Sequence, residues 1–486
     1  MNTQIPQKFK SIVDKISQTA AENGFETYIV GGFVRDLFLN REPYDLDIMV
    51  EDKYPDEIAQ QARNDGKLNK SRNNGKTKKR KDKGAGMRFA QILAKKYKTI
   101  WPVLFKRFGT AKLILDSEDV EFVMPRKEYY TDDSRNPDTE LGTIEQDALR
   151  RDFTVNALFL RLSDMQILDL TKKGLEDIQN KIIRVSDPTA AEFIFSQDPL
   201  RILRGVRQSL QLGFTIEPST FDAMRKTAAR IDIVSPERIR DEINKMLVCA
   251  NPSKAFEMLD EISLLQIIFP DIKKLQGVKQ PPQYHFYDVY EHTMKVLDRT
   301  APLLPLRMSA LMHDVGKLFA YKEIDEHISF YSHEEYSARI AEKVLKNLKY
   351  SKEFTNQVSN IVKNHMRVHS YDAVWTDSAI RRLVIACGDN LDLTISLAQA
   401  DYGKTDPNPR IADLQARIAI LKDENKLYPK PDLISGQELM RHFKIKQGKI
   451  IGEIKAKILE TSIENPKLSK EEALSIAEKM ITENNK

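Results

Sequence analysis

Thr27-Tyr-Ile-Val30, then Gly31-Gly32-Phe-Val-Arg35-Asp36, with Asp45-Leu46-Asp47 nine positions further on, is the stretch whose reading decides the fold. The first four residues read as a short buried strand. The two glycines after it let the backbone turn tightly and bring N–H groups close to an anion. Phe33, Val34, Leu37 and Phe38 predict a helix whose N-terminus faces the same anion, with Arg35 as an added forked donor. Asp45 and Asp47 flank Leu46 ahead of Ile-Met-Val, and period-two alternation puts both carboxylates on one strand face. Two such acids can hold a pair of divalent ions, which suits nucleotidyl transfer. Val120-Glu121-Phe122-Val123 offers a third acid, Glu121, on another alternating strand. Alone, a D-x-D is a solvated strand end and a Gly-Gly a turn; their order and spacing favour the chemical reading.

Arg150, Arg151 and Asp152 gather two cations and an anion beside an apolar run containing Asn156. Taken alone, this is equally a helix-end charge cluster. In Asp198-Pro-Leu-Arg201 the polar residues are three apart, so on a helix beginning near Pro199 they share a face. A carboxylate acceptor beside a guanidinium donor complements an amino group next to a ring-nitrogen acceptor, the edge of cytosine and adenine. Uracil and guanine present the reverse order, so the pair can select CTP and ATP without a template. The alternative is an ordinary helical salt bridge.

Five motifs in order resemble the bacterial class II tRNA nucleotidyltransferase (CCA-adding) and poly(A) polymerase family, in the subgroup with an HD domain. They are Gly31–Asp36, Asp45-Leu-Asp47, Arg107-Phe-Gly-Thr110, Arg150-Arg-Asp-Phe-Thr-Val-Asn-Ala157 and Gln197-Asp-Pro-Leu-Arg-Ile-Leu-Arg204. The resemblance runs from Tyr28 to about Asp401. It implies Mg²⁺ held by Asp45, Asp47 and Glu121 as the catalytic acids, and nucleotide binding by Gly31, Gly32, Arg35, Arg150, Arg151, Asp152, Asn156, Asp198, Arg201, Arg204 and Arg207. The family usually has an acid before Asp198, where this chain has Gln197.

Seven of the eight histidines fall between His285 and His369. Imidazoles with Asp314 and Asp401 suit a divalent transition metal that helices bring together from distant positions. The pattern resembles an HD-type metal phosphohydrolase. That implies His292, His313, Asp314 and Asp401 as core ligands, His333 and His365 as the extra positions of binuclear members, and Lys317 as the lysine after the His-Asp pair. A helical domain that keeps its ligands without catalysis is the alternative. His285, His327 and His369 read as surface or supporting residues.

The chain has 486 residues, too long for one ordinary core, with 41% hydrophobic residues and no long apolar stretch that would span a membrane. Cys249 and Cys387 are the only cysteines. With no signal-peptide pattern at the N-terminus, a cytoplasmic location is expected. Net charge is +5, but residues 63–83 carry ten Lys or Arg against two Asp, +8 locally, leaving about −3 for the rest. That segment reads as a disordered basic insertion, either an RNA-binding arm or a tolerated loop.

The expected architecture is α+β: a nucleotidyltransferase head with a mixed β-sheet, followed by a mainly α-helical neck, body, HD domain and tail. The expected divisions are a head over 1–160 with the insertion at 61–85, a neck and body over 161–275, an HD domain over 276–405 and a helical tail over 406–486. Strand-like Ile167–Leu170 and Ile182–Val185 should finish the mixed region, with a turn at Gly174. The tail's Lys446-Gln-Gly-Lys-Ile-Ile-Gly452 can hold a backbone phosphate, or be a plain helical core. The expected partners are tRNA, ATP and CTP, with no membrane, and the expected reaction is template-independent CCA addition to the tRNA 3′ end. Poly(A) synthesis, CC-only or A-only addition, and an HD phosphohydrolase with an RNA-binding head are the alternatives.

Overall fold

The structure is a computed structural model that describes residues 4–53, 84–106, 109–129, 138–280, 287–324, 327–403, 408–427 and 433–484. The basic insertion, Arg107 and Phe108, His285, and the linker residues 404–407 lie outside the described residues. The chain divides into two compact units, residues 1–242 with 261–264, and residues 243–260 with 265–486.

In the first unit, α1 (Gln7–Asn23) leads into β1 (Phe25–Val30), α2 (Gly32–Phe38) and β2 (Leu46–Asp52). Next come α3 (Ala85–Tyr97), β3 (Val103–Phe105), β4 (Thr110–Leu115) and β5 (Glu118–Val123). The hairpin β6 (Arg126–Tyr129) and β7 (Asp138–Leu141) stands apart from the main sheet, followed by α4 (Ile144–Arg150), β8 (Leu158–Arg161) and β9 (Ile167–Asp169). The main sheet runs β3-β4-β5-β2-β1-β8-β9; β2 and β5 are parallel and the other neighbours antiparallel. It is the mixed sheet expected.

Alternation along β2 explains its two faces. Leu46, Ile48 and Val50 are fully buried on one side, where the Phe89 ring of α3 meets Phe25 at 5.2 Å and Phe122 at 5.7 Å between centroids. Burying each such side chain contributes roughly 1.5–3 kcal/mol. Asp47, the odd-numbered residue, therefore faces the other way. β1 and β8 build that other face from a smaller apolar cluster of Tyr28, Val30, Met49, Ala148, Ala157 and Phe159.

Two local expectations differ from the structure. Ile182–Ile183 pairs with Thr215–Ile216 in a separate parallel two-stranded sheet, and Gly174 opens the helix Gly174–Asn180 instead of a turn. A Cβ at Gly174 would lie 2.7 Å from the Thr154 carbonyl oxygen, so the glycine allows that helix to dock closely.

The second unit is helical apart from the small hairpin Lys322–Ile324 and His327–Ser329. Val289–Arg299, Leu304–Met312, His333–Asn347, Lys352–His369 and Leu391–Asp401 form its first bundle. Gly316 permits the tightest approach: a Cβ there would lie 2.2 Å from the His333 carbonyl oxygen and 2.5 Å from the Ser337 nitrogen. Any side chain would push the His313–Asp314 turn away from His333. The last three helices, Gly436–Phe443, Lys449–Glu464 and Lys470–Asn484, share their own apolar core around Leu439, Ile454 and Ala477. No helix among the described residues is long and apolar enough to cross a membrane.

Candidate active sites

Strand register assembles the first site. Val30 pairs with Asp47 across β1 and β2, and Asp47 pairs with Glu121 across β2 and β5, so the two acids stand side by side on one face. Asp45 lies two residues earlier, at the entry to β2. Gly31, directly after Val30, has φ +79°, a conformation L side chains rarely adopt. A Cβ on it would sit 3.5 Å from an Arg151 nitrogen and 3.7 Å from Asp47 Oδ2, so the turn, the acid and the cation meet at one point. Burial, and then the charge of Glu121, raises the Asp47 pKa to about 6 against the opposing pull of Arg151. An acid whose neighbours disfavour its charge is suited to a divalent cation, which would relieve both causes.

α2 spans seven residues, and Arg35 folds back along it to donate to Asp36 (2.8 Å) and to Asn156 Oδ1 (2.7 Å). Arg150 and Arg151 both donate to Asp147, which is fully buried and which the sequence reading did not single out. The signal for it was there: Asp147 lies three and four residues before the two arginines on a helix, the spacing at which side chains meet. Arg151 also covers the Phe159 ring at 5.2 Å.

Asp152 and Asn156 build the support beneath these groups. The Asn156 amide donates to Asp152 (2.9 Å) and to the Gln208 side-chain oxygen (2.9 Å), while Arg204 donates twice to Asp152 (2.8 and 2.6 Å). Burial alone would push the Asp152 carboxyl up; Arg204, with the Asn156 hydrogen bond, outweighs it and holds the group well below the usual carboxylate range. Gln208, 3% exposed, completes this network and was missed, although it lies one helical turn beyond Arg204.

Helix Leu200–Leu212 begins where expected, with Pro199 at its N-cap. Asp198 lies just before that cap, ending the helix Ala191–Gln197, and its carbonyl accepts the Arg201 amide hydrogen at 3.0 Å. Asp198 pairs with Arg238 at 3.1 Å, and the Arg201 side chain makes no hydrogen bond or ion pair among the described residues, its charge acting on Asp152. Arg207 donates to the buried Glu242, an attachment within the fold.

The second unit holds the other site. Asp401 receives His292 Nε2 at 2.8 Å on one carboxylate oxygen and His369 Nε2 at 2.7 Å on the other. Asp314 lies 3.2 Å from both His313 and His333, and 2.7 Å from the Lys317 amine. Nδ1 of His313, His333 and His365 lies 2.6–2.9 Å from the carbonyl oxygen three residues earlier, which turns each Nε2 inward. The His313 and His333 Nε2 atoms face the Asp314 carboxylate without a well-aligned hydrogen bond, and the buried His365 Nε2 has no partner among the described residues, so the three inward-turned imidazoles offer lone pairs that a metal ion would satisfy. Two ligand sets, His292-His313-Asp314 and Asp314-His333-His365, each have their donor atoms within 4.8 Å of one another. They share Asp314, so one carboxylate can bridge two ions.

Burial would raise the Asp314 and Asp401 carboxyls, but the surrounding imidazoles, and Lys317 at Asp314, hold both well below their ordinary value. His369, read from sequence as a surface or supporting residue, is a supporting one, holding the second Asp401 oxygen at 2.7 Å. His327 starts a strand of the small hairpin, and His285 lies outside the described residues. A cavity of about 1220 Å³ opens onto this cluster, lined among others by Lys317, Phe330, Tyr331, Arg367, Tyr402 and Arg410.

The chain matches three protein-family models: the Poly A polymerase head domain over residues 27–83 and 81–184, the probable RNA and SrmB-binding site of polymerase A over 213–275, and the HD domain over 284–407. It is 30% identical over 326 residues to the A-adding tRNA nucleotidyltransferase of Deinococcus radiodurans, covering 64% of this chain and 73% of that one. To the CC-adding tRNA nucleotidyltransferase of Thermus thermophilus it is 28% identical over 464 residues, 92% of each chain. It spans about half the length of the tRNA nucleotidyltransferase cca2 of Schizosaccharomyces pombe, at 34% identity over 256 residues, 52% of this chain. Its fold matches the crystal structure of the Bacillus stearothermophilus CCA-adding enzyme in complex with CTP, with a TM-score of 0.64, 19% identity, and coverage of 99% of this chain and all of the other.

Proposed function

The chain belongs to the tRNA nucleotidyltransferase family, and on that premise we propose that it adds the terminal CCA to tRNA 3′ ends, from CTP and ATP, without a nucleic-acid template. The observation that carries the proposal is the register Val30–Asp47–Glu121, which brings the Gly31 turn, two acids and Arg151 to one point of one sheet face.

Asp45, Asp47 and Glu121 hold Mg²⁺ in this reading; the head family itself implies only a divalent ion. When bound, that ion activates the attacking hydroxyl and neutralises the triphosphate. The Gly31 turn and Arg151 seat the phosphates, and the primer's terminal ribose hydroxyl attacks the α-phosphorus, displacing pyrophosphate. Arg150 and Arg151 are aimed by Asp147, while Asp152, Asn156, Arg204 and Gln208 keep Arg35 and the strap 150–157 in place. Catalysis is then a matter of positioning and charge stabilisation, with no covalent enzyme intermediate. Arg201 and Asp198 read the base edge, and Arg238 supports Asp198 where the family has a preceding acid. The division into head over 1–160, neck and body over 161–275, HD domain over 276–405 and tail over 406–486 is part of the same proposal.

The test is incubation with tRNA transcripts lacking all, two or one of the CCA residues, with labelled CTP or ATP, and product lengths resolved. Growth that stops at CCA supports the reading. Growth limited to CC or to a final A makes the chain a partial adder like its Thermus or Deinococcus relatives, and an unbounded A ladder makes it a poly(A) polymerase.

A second activity is favoured by the buried Nε2 atoms around Asp314. His292, His313, Asp314 and Asp401, with His333 and His365, would hold one or two transition-metal ions, which lower the pKa of water for phosphoester hydrolysis. Lys317, 2.7 Å from Asp314, would fix that carboxylate. If hydrolysis is the principal activity, Asp45→Ala leaves it intact and His313→Ala abolishes it.

A further inference from the structure

The sheet face that carries Asp47 and Glu121 does not end with them. Glu121 pairs with Lys112 on β4, and Lys112 pairs with Val103 on β3, so directly opposed side chains continue across the same face to the sheet's edge strand. Along β4, Ala111, Leu113 and Leu115 are buried while Lys112 and Ile114 are exposed. At the far end the face is apolar and open: Val103 is 59% exposed, Phe105 43% and Ile114 47%, and Trp101, two residues ahead of β3, is 60% exposed. Four large apolar side chains uncovered together mark a binding surface more often than chance exposure does.

Resting on the reading as an RNA 3′-end nucleotidyltransferase, we propose that this end of the sheet is the platform on which the unpaired 3′ nucleotides of the primer RNA stack as its terminal ribose reaches Asp47. With strands roughly 4.8 Å apart, β3 lies three spacings, about 14 Å, from β2. An RNA strand crossing the sheet toward the carboxylates passes over Lys112 and, a few nucleotides upstream, over the Trp101, Val103 and Phe105 side chains. The local charge explains why stacking is the attractive force. Asp119 and Glu121 lie on this face and repel phosphate, and Lys112 is paired with Asp119 at 2.9 Å. Base stacking on apolar and aromatic side chains gives affinity without cations, and accepts C or A alike because every base has a π-face. That tolerance fits a primer end that changes from one addition to the next.

Trp101 supplies its own reporter. The chain has two tryptophans, so Trp375→Phe leaves Trp101 as the single emitter. Titrating this full-length variant with a tRNA transcript lacking CCA, in EDTA, should quench its emission saturably. Trp101→Ala with Val103→Ser should raise KM for that transcript about tenfold or more and leave KM for CTP within twofold. Unchanged primer KM, or absent quenching while the RNA is still extended, overturns the proposal. So does a concentration-dependent dimer that the double variant dissociates, because the face would then belong to a second copy. Saturable quenching by RNA that is never extended would support the platform and remove the nucleotidyl-transfer reading.

Discussion

Asp47→Asn should make the protein more stable and abolish nucleotide addition. Burial and Glu121 raise the Asp47 pKa from an ordinary 3.8 to about 6. A carboxyl whose folded pKa lies above its unfolded value binds protons more readily when folded, so its ionisation opposes folding. The opposition is fully present above about pH 6 and disappears as pH falls below the unfolded value near 4. A difference of about two pKa units corresponds to roughly 3 kcal/mol. Because Asp47 is only partly buried, solvent screens some of this, and about 1–3 kcal/mol is the expected gain for the neutral amide at pH 8. In a unit of this size that is a melting-temperature increase of several degrees.

The assay is thermal unfolding of wild type and variant in EDTA at pH 8 and pH 5, followed by Mg²⁺ titration at pH 8. The variant's advantage should be present at pH 8 and shrink at pH 5. Mg²⁺ should stabilise the wild type and not the variant, narrowing the gap, while extension of tRNA falls by several orders of magnitude in the variant. A variant that is less stable than wild type at pH 8, or whose advantage grows on acidification, refutes the electrostatic account of this site.

Asp152→Asn should do the reverse for stability, costing about 3 kcal/mol or less because the Arg204 side chain, 39% exposed, can rehydrate once unpaired. Since the folded Asp152 pKa is depressed, its contribution is present above about pH 4 and is lost on acidification below that, so denaturant midpoints of wild type and variant should converge at low pH. Asp198→Ala should lower kcat/KM for CTP and ATP about ten- to a hundredfold while lifting misincorporation of UTP and GTP, measured with each nucleotide alone; retained discrimination would move base selection elsewhere. Asp314→Asn should lower the bound transition metal, measured by elemental analysis, by more than one ion per chain if that carboxylate bridges two sites, whereas His365→Ala should remove one. Deletion of residues 63–83 should weaken tRNA binding mainly at low salt, and affinity unchanged across a salt titration would make the segment a tolerated loop.

The face of each acid was legible in the sequence because period-two alternation is local: Asp45, Asp47 and Glu121 could be placed on strand faces without knowing which strands are neighbours. That β5 lies beside β2, parallel to it, is a long-range fact that no window of residues contains, and it turns three acids into one cluster. The same limit explains the errors. Ile182–Ile183 has strand character, but its partner, Thr215–Ile216, lies beyond an entire helix-rich segment, and local pattern could not detach it from the head sheet. The residues overlooked were different in kind. Asp147 and Gln208 each lie one helical turn from a residue already singled out, and each is polar and buried. A polar group in that position is either bonded or costly, so the positions three and four residues either side of every candidate contain both. Searching those positions extends a chemical motif into its supports by helix geometry alone, and it fails only where, as between Asp47 and Glu121, the supporting group arrives from another strand.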